Sequence, residues 1–340
     1  MELGYTPVHY VEGPGADIIN ARMTRFERID VSSGKETDRL ILTVDVTGLT
    51  GLPQEGAVLT WYEGYRESRV VKTGAYRITT ITPQLYPRVI TITATSAPFE
   101  KEDPTGFRAR RTASWDNITL GTLFLEIAQR HRLSPRMDER LGKVFYQHVD
   151  QTDETDPAFI SRLAEELDAM AKPVDGCYVL CYRGESASIT GKALPLIKLR
   201  CPPDNRPGDP QFIQISVDSP GKKKTSGVQV KYTEEGTGRV VTLSKGMAPF
   251  KVMPGTYVNR EHAEAALGGQ SRKSKRESEK FRMDIPGDPR VAAEGLIELD
   301  ESFPAGLRGR VSVDRVEARC SVSEGYRMSV TASRPLTRNE

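Results

Sequence analysis

The sequence predicts an α+β fold that is mainly β: two related antiparallel β-barrel domains with an α/β module inserted between them. Three observations lead there. Short alternating strands bounded by turns recur over residues 21–94 and again over 282–332. Two well-signalled helices stand close together in the middle of the chain, within residues 115–195. A loose repeat of strand and glycine order links the two β regions. At 340 residues, two or three domains are expected.

In chain order, residues 1–15 read as a polar arm that is ordered only if something holds it. Residues 21–31 alternate loosely. Leu40, Leu42 and Val44 alternate with Ile41, Thr43 and Asp45, the pattern of a half-buried strand. Further strands are expected over 58–63, 68–73, 76–82 and 89–94, with Gly74 breaking the chain between two of them. Residues 96–111 carry Pro98, Pro104 and Gly106 and read as a linker.

The first helix of the module is expected over 119–131. Leu120, Leu123, Phe124, Ile127 and Ala128 form one apolar stripe, Thr119 can cap its start, and Ser134-Pro135 stops it. Asp156-Pro157 opens a second helix, with Phe159, Ile160, Leu163, Ala164, Leu167 and Met170 as its stripe and Lys172-Pro173 as its end. A strand lies between them over 143–149, and a strand pair over 178–183 and 186–190 follows. Beyond Pro195, strands are expected at 196–200 and 212–217, and a hairpin at 228–232 and 239–243. Asn259 caps a further helix that runs into a basic stretch over 272–282, and strands return at 296–299, 309–320 and 326–332. The expected organisation is an arm over 1–15, a first β-barrel domain over 16–105, the module over 106–192, and a second β-barrel domain over 193–340 with a helical, basic insertion near 259–282.

Charge and composition exclude several function classes. The net charge is +2, from 48 basic against 46 acidic residues, so no global field favours nucleic acid or acidic lipid. No apolar run approaches the ~18 residues of a membrane span, so no membrane insertion is expected. The first residues lack a basic start followed by an apolar core, so no secretion signal is expected. Four cysteines do not make a disulfide framework; Cys177 and Cys181 read as small buried hydrophobes rather than zinc ligands.

No constellation for catalysis emerges. Glu165 and Glu166 are helix neighbours that point apart. Asp150, Asp153, Glu154 and Asp156 gather before a helix start, where capping and dipole compensation account for them. His131 falls at a helix end and His148 on a strand. Nucleophile-elbow, zinc-protease and phosphate-loop motifs are missing. No cofactor is expected. The residues left for contact with a channel or a partner are basic: Arg108, Arg110 and Arg111; Lys222, Lys223 and Lys224; Arg272, Lys273, Lys275 and Arg276.

The repeat runs as follows. Residues 56–61 begin with glycine and an apolar strand, 74–81 begin with glycine and alternate, and 88–95 alternate again. Residues 295–299, 309–316 and 326–333 repeat that grammar. Two related β units in one chain are therefore expected.

Ser114-Trp115-Asp116-Asn117-Ile118-Thr119-Leu120-Gly121 opens a helix, and Asp150-Gln151-Thr152-Asp153-Glu154-Thr155-Asp156 leads into Phe159-Ile160-Ser161-Arg162-Leu163-Ala164. Ala171-Lys172-Pro173, Gly191-Lys192-Ala193-Leu194-Pro195 and the closing Ile285-Pro286-Gly287-Asp288-Pro289-Arg290 follow. Taken in that order, these stretches resemble the phage late control gene D protein family, which is similar to the baseplate hub of contractile phage tails and to the hub part of type VI secretion spike proteins. The resemblance covers most of the chain from about residue 15.

It implies a homotrimer in which each subunit supplies two related barrels. Six barrels then form a ring that joins a sixfold tail tube to a threefold central spike. The implied partners are the spike, the tube protein, the tape-measure protein passing the channel and the surrounding wedge proteins. Some of the basic stretches would line or rim that channel, without sequence-specific contact to nucleic acid. The implied place is the virion baseplate, assembled in the host cytoplasm, and no enzymatic activity is implied. The competing readings are a peptidoglycan-degrading tail enzyme and a DNA-binding late-gene regulator.

Overall fold

The computed structural model describes residues 6–32, 36–49, 53–96, 103–174, 176–184, 196–218 and 226–336. The first β unit comprises β1 (Pro7–Glu12), α1 (Ala16–Arg22), β2 (Met23–Val31), β3 (Arg39–Asp45), β4 (Val58–Tyr65), β5 (Val70–Gln84) and β6 (Val89–Thr95). The strands form because their apolar residues recur every second position. In β3, Leu40, Leu42 and Val44 are buried while Arg39, Ile41 and Thr43 stay half-buried; β6 buries Ile90, Ile92 and Ala94 the same way. The stretch expected as an arm contributes β1, held by an antiparallel ladder to β4. Gly74 does not break the chain. β5 runs through it as one strand, and Gly74 lies beside a bulge where Trp61 pairs with Gly74 and Tyr62 with Lys72. A Cβ there would come within 3.0 Å of the Tyr76 ring, so glycine keeps room for the packed aromatic.

The module follows with β7 (Arg110–Thr119), α2 (Leu120–Arg130), β8 (Ser134–Met137), α3 (Glu139–Gly142), β9 (Phe145–Thr155), α4 (Asp156–Glu166), β10 (Ala169–Val174) and β11 (Cys177–Tyr182). The α2 start is as expected: the Thr119 hydroxyl accepts from the Thr122 N–H. Two boundaries differ. The supposed linker supplies the first two residues of β7, Arg110 and Arg111, and the strand runs on to Thr119 with its polar residues alternating against β9. The second helix ends at Glu166 because Asp168 adopts φ 54, and the chain leaves as β10, so Met170 is a strand residue. The strand expected over 186–190 and the basic run Lys222, Lys223 and Lys224 lie outside the described residues.

The last region holds β12 (Leu196–Leu199), β13 (Gln214–Asp218), β14 (Ser226–Thr233), β15 (Val240–Met247), β16 (Phe250–Val252), α5 (Arg260–Arg276), β17 (Lys280–Pro286), β18 (Leu296–Leu299), β19 (Gly309–Ser321) and β20 (Gly325–Ser333). Strands β14, β15 and β16 form a small separate sheet under α5, around Val228, Val230, Ala263 and Leu267.

The two β units share one topology. Across the sheet the first runs β4-β5-β6-β3-β2 and the second β18-β19-β20-β17-β13, and every neighbouring pair in both is antiparallel. Ranked by chain position within its unit, each gives third, fourth, fifth, second, first. The likeness reaches single residues. The β5–β6 register slips between Ile78 and Thr80, and the β19–β20 register between Val313 and Arg315. Each slip falls five residues beyond the glycine of the repeat, Gly74 or Gly309, and each leaves an alanine, Ala94 or Ala332, opposite the residue before it. An extra strand lies on the outer edge of each unit: β1 on β4, antiparallel, and β12 on β18, parallel.

The expectation of two closed barrels is corrected. Among the described residues neither unit's ladders close. The edge strand β2 instead pairs with β19, so both units belong to one twelve-stranded sheet. One continuous core lies against it, and Phe26 packs at 4.7 Å from Trp61 and 5.9 Å from Tyr326 of the other unit. The module has its own core around Leu123, Phe124, Phe159, Ile160 and Tyr178. No helix of the described residues is long and apolar enough to cross a membrane.

If the two bulges are structural equivalents, Ala94→Leu and Ala332→Leu each overpack a fully buried site. Urea unfolding is expected to show a loss of roughly 1–3 kcal/mol for each, similar in size.

Candidate functional site

Several titratable groups of this chain serve as clamps between its parts. Lys172 of β10 reaches into the first β unit, with Nζ 3.6 Å from Asp30 and 3.3 Å from Asp38, and donates to the Val31 carbonyl at 2.9 Å. Burial pushes the Asp38 carboxyl up to about 6 despite Lys172. Arg276 of α5 pairs with Asp168 of the module at 2.9 Å and with Asp314 of β19 at 3.1 Å. Glu294 accepts from the Gly184 N–H at 3.0 Å, joining the module to the second β unit. Burial, with Asp314 adding to it, raises Glu294 to about 7. Within the first unit, buried Arg28 donates to Glu63 at 2.8 Å, and Glu63 also accepts from the Trp61 indole at 3.0 Å.

The acidic cluster divides. Asp156 is buried at the head of α4 and takes bonds from His131 at 2.9 Å, Arg130 at 2.9 Å and Gln151 at 2.9 Å. Burial alone would raise its pKa; these three bonds outweigh that and hold it at about 2. Asp150, Asp153 and Glu154 lie on β9 rather than in a loop. His148 stands on the same strand with Asp116 at 2.6 Å and Asp150 at 3.1 Å, and Ser114 donates to Asp150 at 2.6 Å. This group lies on an exposed two-stranded ladder, and the serine meets the carboxylate rather than the imidazole, so no nucleophile–base pair exists in it. Among the described residues no group of three His, Cys, Asp or Glu side chains is placed to hold a metal ion.

The basic candidates scatter. Arg276 is buried in the pairs above. Arg272 is buried with its guanidinium 4.4 Å from the Tyr182 ring centroid. These two turn inward, and the expectation that they face a channel or partner is corrected: the basic face of α5 meets the module's acidic and aromatic groups. Lys273 is 3.6 Å from Glu165, and Arg111 is 3.4 Å from Asp156. Arg110 pairs at 3.0 Å with Asp153, both exposed; Arg108 and Lys275 are exposed too.

The more distinctive surface is made of strand edges. Among the described residues the outer side of β13 has no strand beside it. Among the described residues, 79–84 of β5 have β6 on one side and no strand on the other, because β4 stops at the pair Val58–Arg77. Leu85 and Tyr86 at the adjoining turn are 81% and 89% exposed. Nothing in the local sequence marks these edges, since they follow from which distant strands pair.

Two curated relatives, the probable baseplate hub proteins of Escherichia phages P2 and 186, are each 32% identical to this chain over 167 residues. Over that stretch the chain is similar to these two hub proteins. The matched stretch is 49% of this chain and 42% of each relative, so the chain spans less than half of the curated relatives it matches. No family model matches. Among solved structures, a 43 kDa tail protein of prophage MuSo2 from Shewanella oneidensis matches over 97% of this chain and 99% of its own, with TM-score 0.64 and 14% identity. A tail protein from Neisseria meningitidis matches over 97% of both chains, with TM-score 0.65 and 10% identity. An E. coli type VI secretion component, described as structurally similar to the T4 tail proteins gp27 and gp5, matches over 98% of this chain and 78% of its own, with TM-score 0.54 and 12% identity. At these identities the structures share the fold.

Two tests follow from the clamps. Lys172→Met leaves the half-buried Asp38 without its cation and Asp30 with Arg28 alone, and is expected to cost roughly 1–3 kcal/mol in chemical denaturation, partly recovered by adding Asp38→Asn. A carboxyl raised from 4.5 to about 7 holds more protons folded than unfolded, so Glu294 makes stability fall as pH climbs through that window. Melting curves across that range should show a smaller fall for Glu294→Gln than for the parent.

Proposed function

We propose that this protein is a structural baseplate hub of a phage tail or tail-like particle. Three copies form a ring of pseudo-sixfold symmetry that joins a sixfold tail tube to a threefold central spike. The observation that supports this reading most is the presence of two β units of identical strand order in one polypeptide, since three such chains offer six equivalent units. The kinship with the P2 and 186 hub proteins, and the fold shared with phage tail proteins, point the same way.

In this reading residues 16–105, 106–192 and 193–340 are the three units of the hub. Its partners are the spike, the tube protein, the tape-measure protein in the channel and the wedge proteins at the rim. Of the basic candidates that are described, Arg108, Arg110 and Lys275 are exposed, and in this reading they meet those partners or line the channel. The role needs no catalysis and no cofactor, and it places the protein in the virion baseplate after assembly in the host cytoplasm.

Light scattering of the purified chain, alone and mixed with its spike protein, tests the proposal. The expected mass is that of three copies, and class averages by electron microscopy should show six lobes around a central opening. A monomer in both samples would overturn it.

A further inference from the structure

The internal likeness of the two units identifies a contact that the single chain leaves unmade. Each unit has a long fourth strand that parts from its third strand midway. In β19 the first half pairs with β18 and the second half, Arg315–Ser321, receives β2, the first strand of the other unit. In β5 the first half pairs with β4, and among the described residues no strand pairs on that side of the second half. The strand equivalent to β2 is β13, and among the described residues its outer edge has no strand beside it either.

Side-chain burial shows the same gap. Val316, Ala318 and Cys320 on the core face of β19 are 0%, 0% and 8% exposed, with β2 alongside. Counted from Gly309 and Gly74, their equivalents are Ile81, Pro83 and Leu85. Ile81 is half-buried, Pro83 is exposed and Leu85 is 81% exposed. The alternation is the same, and only the cover is missing. Ile215 and Val217 of β13 face the core side and are only half-buried, as expected of an apolar row that ends at an open edge.

We infer that β13 of one copy adds to the second half of β5 of the next copy, antiparallel, repeating the β2–β19 contact between subunits. Transferring the observed register sets Ser216 opposite Gln84 and Asp218 opposite Thr82, as Glu27 lies opposite Arg319 and Ile29 opposite Glu317. Val217 then meets Pro83, and Ile215 covers Leu85. Pro83 has no N–H to give, so this ladder is shorter than its intrachain counterpart and relies more on the apolar row. The occupant is a second copy of this chain because the template is the chain's own joint. The inference deepens the ring reading and rests on it only for the number of copies.

The test uses the full chain with its four cysteines changed to alanine or serine. Gln84→Cys with Ser216→Cys should give covalent multimers ending at three chains on a non-reducing gel, and neither single change should. Directly opposed residues in such a ladder lie within disulfide reach. The unmodified chain provides a second readout that needs no variant. Amide exchange in peptides covering 79–86 and 214–218 should slow by about tenfold or more on going from dilute to concentrated protein. A trimer by light scattering with neither the covalent ladder nor the slowed exchange would overturn this pairing while leaving the hub reading intact. A monomer throughout would overturn both.

Discussion

A β-strand has two sides for hydrogen bonding, and the architecture of this protein depends on how β19 divides one of them. Its first four residues hold β18 on that side, and from Arg315 to Ser321 the same side holds β2. The bulge at Asp314 makes the change possible: one extra residue re-aims the strand and increases its local twist, so the second half can leave one neighbour and meet another. Because β2 also belongs to the first unit's sheet, the fork makes the two units continuous. Phe26 on β2 can then pack against Tyr326 of the second unit and Trp61 of the first. The single core is a consequence of this pairing rather than a separate cause.

The buried ion pairs act on a different level. Replacing a buried pair by well-packed apolar groups is often neutral in stability, so Lys172, Arg276 and Glu294 are weak candidates as main sources of folding energy. Their geometry suggests what they do instead. Each joins segments far apart in sequence: β10 to the first unit, α5 to the module and to β19, and Glu294, two residues before β18, to Gly184, two residues past β11. Apolar surfaces tolerate sliding, whereas a lysine held between two carboxylates and a carbonyl does not. The pairs therefore fix how the module sits on the sheet while the cores supply the energy.

The sequence carried the local elements well and the long-range ones poorly. Helix α2 was legible because capping is local: Thr119, the apolar stripe and the proline stop lie within one stretch. Strands β3, β6, β19 and β20 were legible because alternation is local too. Strand β7 was not, since both of its faces are largely polar and it forms only because β9 arrives from further along. The early end of α4 rests on Asp168 taking a left-handed conformation, which its side chain tolerates but does not announce. The same limit governs the basic candidates. Arg272 and Arg276 read as surface charges, and their partners Tyr182, Asp168 and Asp314 are too far away in sequence to expose them. The internal repeat was visible through its glycines. The open half of β5 was not, because an unpaired edge is defined by strands that go elsewhere.

Open edges are a hazard as well as an opportunity. A head-to-tail contact between identical chains either closes into a ring or continues as a filament, and the rotation per step decides which. In this chain the first step is built in covalently, since both partners of the β2–β19 joint belong to one polypeptide. In the proposed ring, a joint between subunits that repeats that geometry makes the step between chains equivalent to the step within one. The short β13, with polar Gln214, Ser216 and Asp218 on its outward face, and Pro83 on the facing strand both weaken promiscuous pairing with foreign strands. What remains favourable is the fit of a particular apolar row to a particular gap, which other copies of this chain possess. In the ring proposed above, duplicating a β unit within one chain supplies the repeated surface, and the joint inside the chain is the template for the joint between chains.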